Sequence, residues 1–272
     1  MALNSDKPII WGAAAAVVAG VIALYLYAHH PKAAVPPASA PPTLSTPAAM
    51  APVASAPVIQ HPVPDSSSAD STPVPALKES DTPFHAALTA LPGAQALEKL
   101  LVPDNIIRNI VVTVDNLSKK KIAVDQRPIK ATSGQFMVVG TGDQLSINPE
   151  NYARYRPFME VVKSVDTQKL VQLYFHFYPL FQSAFDDLGY PNAYFNDHAI
   201  EQIDHLLATP DVGGPVALVQ PNVMYRYADP ALEALSPGQK TLIRMGPANE
   251  ALLKVRLREL KAQLLAHPRE HS

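Results

Sequence analysis

Apolar and polar positions follow three successive patterns along this chain. From Ile9 to Ala28 ("IIWGAAAAVVAGVIALYLYA"), 20 residues pass without a charge. That is the length a helix rising about 1.5 Å per residue needs to cross the hydrocarbon core of a bilayer. Trp11 near one end, and Tyr25 and Tyr27 near the other, fall where aromatic rings meet lipid headgroups. A cleaved signal peptide has a shorter apolar region and small residues at the cut, whereas this run closes on Leu26-Tyr27-Ala28. The expectation is an uncleaved transmembrane helix over residues 9–28, behind a short N-terminal tail of residues 1–8.

Residues 29–83 have no period at all. Residues 31–83 hold 13 prolines, with Ala, Ser, Thr and Val between them. Such a segment buries too little apolar surface to fold, and its prolines hold it extended. The prediction is a disordered Pro/Ala-rich linker that reaches up to roughly 160 Å when fully extended. A passive spacer accounts for it without a docking role.

Helical and strand periods take over from Phe84 to the end, predicting one globular domain over 84–272. Residues 84–101 read as two short helices broken at Pro92-Gly93. Asp104 is placed to cap a helix over 105–117, in which Ile106, Ile107, Ile110, Val111 and Val114 recur at spacings of three and four. "QFMVVGTGDQLSI" reads as a hairpin turning at Gly140–Asp143. Asn148-Pro149 opens a further helix, Asp166 caps one over 167–188 with Pro179 inside it, and Asn196 caps one over 197–208. Short strands follow near 215–219 and 223–227, then a helix between Ser236-Pro237 and Gly246-Pro247, and a last helix over about 248–266. The fold class is therefore mostly α (α+β): a helical domain with a small β-hairpin and short strands.

Charge and composition narrow the function classes. Of 22 basic and 24 acidic residues, 3 and 5 precede Phe84, leaving 19 of each in the folded part. A nucleic-acid partner calls for a basic excess, so none is expected. With Cys 0, thiolate metal sites and cysteine nucleophiles are excluded. Walker, GxSxG and HExxH motifs are absent, and no cofactor is implied. The GxG at 140–142 lacks a third glycine and a following helix, so it reads as a turn. The run Lys119–Lys121 follows a helix end, where cations complement the carbonyl dipole.

Two sets of residues are candidates for chemistry. Asp197, Glu201 and His205 recur at four-residue spacing on the polar face of helix 197–208. They are the candidate acid–base residues, with Glu201 and His205 as the pair able to share a metal ion. An ordinary solvated helix face has the same pattern. The loop "GYPNAYFND" (189–197) offers Tyr190, Asn192, Tyr194 and Phe195 as an interaction surface, because aromatic side chains on loops are common contact anchors. The 12 aromatic residues between Tyr152 and Phe195 are a core in one reading and part of a peptide or glycan groove in the other.

The stretches "VVTVDNL" (111–117), "NYARYRPF" (151–158), "YPLFQSAFDDLGYP" (178–191), "YFNDHAIEQIDHLLATP" (194–210) and "ADPALEALSPGQKTLIRMGP" (228–247) resemble a bacterial domain-of-unknown-function family, number 3014. The resemblance implies an envelope protein with one N-terminal anchor and a proline-rich link, and implies no activity. Anchor, link and resemblance lead to one expectation of place. The chain sits in a bacterial inner membrane through residues 9–28, N-terminus inside, with its domain in the periplasm. There the domain contacts another envelope protein or the cell wall. The alternative is an envelope hydrolase using the polar face of helix 197–208.

Overall fold

The computed structural model describes residues 59–64, 73–119 and 126–266. The expected anchor over 9–28 lies outside these residues, and none of the helices inside them is long and apolar enough to cross a membrane. Among the described residues the chain forms nine α-helices and two antiparallel strand pairs.

Folded structure begins before Phe84. A 3₁₀ turn at Leu77–Glu79 leads into α1 (Asp81–Thr89), and Val74 and Leu77 pack against the main core. The chain breaks at Pro92-Gly93, as expected, before the single turn α2 (Leu97–Leu100). Gly93 has φ +81°, and a Cβ there would meet the Ser164 carbonyl oxygen at 2.0 Å. Only glycine permits that approach.

Helix α3 (Ile106–Asn116) forms where its apolar spacing predicts, but its N-terminus is held differently. Asn105 turns the chain with φ 53°, and its own side chain caps nothing. The caps come from a distant residue: Asp81, at the start of α1, accepts from the amides of Asn105 at 2.7 Å and Ile106 at 2.8 Å. Asp104, the expected cap, is thereby replaced by a carboxylate from α1, which places negative charge at the positive end of α3.

Strands β1 (Val138–Val139) and β2 (Ser146–Ile147) make the expected hairpin, and Asn148 caps Pro149–Tyr155, which winds as a 3₁₀ helix before α4 (Arg156–Ser164). Buried Asn151 locks the hairpin in place by bonding both the amide and the carbonyl of Met137. Asp166 caps α5 (Thr167–Asp187) by accepting from the Lys169 amide at 3.0 Å. This is the central helix, with 11 buried residues from Leu170 to Phe185. Helix α6 (Phe195–Leu207) follows the 188–194 loop. A second hairpin, β3 (Leu218–Val219) with β4 (Arg226–Tyr227), joins the first through a bridge between Ser146 and Ala217. Short α7 (Pro230–Ala234) leads to α8 (Pro237–Met245), whose Ser236–Gln239 capping box is complete, and to α9 (Pro247–Leu265).

One core joins α1, α3, α5, α6 and α9. A smaller one beneath the hairpins gathers Ile147, Val216, Leu218, Tyr227 and Ile243. Asp81→Ala removes both amide acceptors at the start of α3 and is expected to lower stability by about 1 kcal/mol. Chemical denaturation measures the loss. An unchanged midpoint would contradict a capping role.

Candidate functional site

The aromatic run of α5 fixes where α6 starts. Phe195 is 0% exposed, stacked on Phe181 at 5.9 Å and tilted against Phe185 at 5.4 Å. Phe195 was expected at a contact surface and is instead a core ring. It follows directly on the loop, and its burial is what seats α6 on α5.

Polar tips along α5 then complete the start of α6. Tyr194 is the cap position and supplies no side-chain cap. The amide of Phe195 donates to Gln182 Oε1 at 2.8 Å, and that of Asn196 donates to the Tyr178 hydroxyl at 3.3 Å. One turn earlier, the Tyr174 hydroxyl donates to Asn196 Oδ1 at 3.2 Å. Residues 174, 178 and 182 lie four apart on one face of α5, so a single helix face satisfies the donors that begin another. Asn196 is therefore not the cap expected from the sequence; it lies inside the first turn and is 0% exposed. Burial pushes the hydroxyl pKa values of Tyr174 and Tyr178 far above the ordinary tyrosine value, so both remain protonated donors.

A piece of the expected linker occupies the surface thus made. The amides of Gln60 and His61 donate to Asp197 Oδ2 and Oδ1 at 2.9 and 2.7 Å. The Val63 amide donates to the Tyr194 hydroxyl at 2.7 Å, and Asn196 Nδ2 donates to the His61 carbonyl at 2.8 Å. His61 Nδ1 also lies 2.9 Å from Asp197 Oδ1. Val63 packs against the main core. The Pro-rich segment is thus not a bare spacer throughout: residues 59–64 dock on the domain. Composition argued against docking because prolines build no core, yet this contact is made by main-chain hydrogen bonds with two side chains, His61 and Val63.

The three candidate acid–base residues go to different partners. Asp197 holds the tether amides. Glu201 has a side chain 69% exposed, 3.9 Å from His198 Nδ1. His205 shares a 2.7 Å hydrogen bond with Ser236 Oγ at the start of α8, and burial lowers its pKa. Glu201 and His205 thus turn to different partners, and no group of three or more metal-ligating side chains occurs among the described residues.

Beside the docked segment lies a polar cluster that the sequence did not single out. Asp115, on α3 and 5% exposed, pairs with Lys119 and faces His198 Nε2 at 3.4 Å. Lys119 Nζ donates to the Tyr190 hydroxyl at 2.8 Å and lies 5.4 Å from the centre of its ring. Tyr190 stacks on Phe185 at 4.6 Å. Lys119 thus bridges α3 to the loop before α6 rather than only ending a helix. No short motif could have signalled this cluster, because its members come from three separate elements.

Of the expected contact residues, Asn192 is exposed, and Tyr190 and Tyr194 are half-buried on the rim. Residues 106–261 match the family described as "Protein of unknown function (DUF3014)", and the chain belongs to that family. No curated protein and no solved structure matches the chain.

Burial pushes the Asp115 carboxyl up, but its contacts with His198 and Lys119 outweigh this and hold it below the usual carboxylate value. A pKa depressed in the folded state contributes stability that is complete above the unfolded value of about 3.9 and is lost as pH falls through the folded value. Asp115→Asn is expected to lower stability at neutral pH and to flatten the acid limb of the stability–pH curve below about pH 4. Urea denaturation across pH measures both. An acid limb of unchanged slope in the variant would contradict the assignment.

Proposed function

We propose that this protein is a membrane-anchored interaction module of the bacterial envelope. Residues 9–28 span the inner membrane with the N-terminus inside, and the Pro-rich link carries the domain into the periplasm. There the domain contacts another envelope protein or the cell wall. The contact surface is the start of α6 with the loop before it: Tyr190, Asn192, Tyr194, Asn196 and Asp197.

One observation carries this reading. Four hydrogen bonds join the main chain of residues 60–63 to Tyr194, Asn196 and Asp197, so the surface is able to hold an extended chain by its backbone. Two of these three residues are held from behind by α5, Asn196 by Tyr174 and Tyr178 and Tyr194 against the Tyr178 ring, which lowers the ordering cost of binding. Balanced charge in the folded part fits a protein or wall partner better than a polyanion. The dispersal of Asp197, Glu201 and His205 among separate partners supplies no observation in favour of the hydrolase alternative.

A photoreactive side chain placed at exposed Asn192 tests the reading in native membranes. Crosslinks to a second molecule are expected with the full chain and are expected to fall several-fold when Tyr194→Phe and Asp197→Ala are combined. Crosslinks confined to the chain itself, or a yield the two substitutions leave unchanged, would contradict it.

A further inference from the structure

We propose that this surface takes, from a partner in trans, an extended peptide with proline at the position of Pro62, and that residues 59–64 are its built-in competitor. The proposal rests on the interaction reading above and names the ligand and its control.

The chemistry of the bound segment defines the ligand. The domain offers acceptors to the amides at 60, 61 and 63 and a donor to the carbonyl at 61. The position between the two accepted stretches is Pro62, which has no N–H to satisfy. Proline there, with Pro64 after Val63, holds a peptide extended before it binds, so less conformational freedom is lost on docking. Two side chains add selectivity: His61 reaches Asp197 through Nδ1, and Val63 packs on the apolar core. A fitting ligand therefore has a donor side chain, then proline, then a small apolar residue.

The receptor side does not depend on its present occupant. Tyr174, Tyr178 and Gln182 hold Asn196 and the start of α6 from within the domain, and the Tyr194 ring lies 5.3 Å from that of Tyr178. These residues fall inside the stretch 106–261 that matches the family, whereas residues 59–64 fall outside it. The bound segment is joined to the folded body by residues 65–72, only eight residues. A short connection gives the tether a local concentration on the order of millimolar. A partner peptide must overcome that advantage, so docking in cis sets the threshold for capture in trans.

The probe is a fluorescent, end-capped hexapeptide of the tether's own sequence, Ile-Gln-His-Pro-Val-Pro, titrated against the full-length chain in nanodiscs. A second chain carries Gln60→Pro and Val63→Pro, which delete two of the three docked amides while leaving α6 untouched. The peptide is expected to bind the released chain at least about tenfold more tightly than the wild type. Asp197→Ala, and separately the milder Asp197→Asn, are expected to weaken binding to the released chain. Equal affinity for both chains, or no binding to the released chain at millimolar peptide, would overturn the proposal. If Asn192 crosslinks persist while the peptide fails, the ligand chemistry is wrong and the interaction reading stands. Loss of both overturns both.

Discussion

The burial of Phe195 is the constraint on which the rest of this domain depends. An aromatic ring at the first position of a helix must find a cavity, and Phe181, Phe185 and Tyr174 on α5 provide it. Once that ring is seated, the 100° step between helical residues turns Asn196 toward Tyr174 and carries Asp197 to the rim. Tyr194 and Asp197 then flank a short ledge whose polar atoms point away from the core. A register shift of one residue would bury Asp197 and expose Phe195, so the apolar packing of α5 sets the polar geometry of the surface.

Much of the domain is legible in sequence because its signals are local. Asp166, Asn148 and Ser236 cap the helices that follow them, and each is recognisable from a few residues of context. The hairpin at 138–147 and the final helix are equally local. The caps that escaped are those supplied from a distance. Asp81 serves α3 from 24 residues away, and Gln182 and Tyr178 serve α6 across an aromatic interface. Where no nearby residue does the capping, an Asp or Asn at the right position misleads, as Asp104 and Asn196 do here. The two readings of the aromatic stretch prove to be split by residue: Phe195 is core, whereas Tyr194 is rim.

The candidate surface was legible as a place but not as a contact. Tyr190 and Tyr194 flank a loop broken by Gly189, Pro191 and Asn192, and such loops advertise themselves. Asp197 entered as one of three spaced acid–base residues, and its actual use is to accept two main-chain amides. That use is invisible in sequence because its partners lie more than 130 residues away, in a segment whose composition argues against folding. Proline-rich sequence fails to build a core, but it loses little freedom when it lies extended on one already built. The neighbouring Asp115–Lys119–Tyr190 cluster ties α3 to the same loop, so the surface is braced from two sides.

Residues 59–64 rest on the start of α6, and the chain's lack of cysteine makes this contact directly measurable. Spin labels at Gln60→Cys and Glu201→Cys, one turn beyond Asp197, report the separation by pulsed electron resonance in the full-length protein. Docking predicts a single narrow distance that broadens when Asp197 is replaced by alanine. A broad distribution in the unaltered background, the same with and without Asp197, would contradict the account.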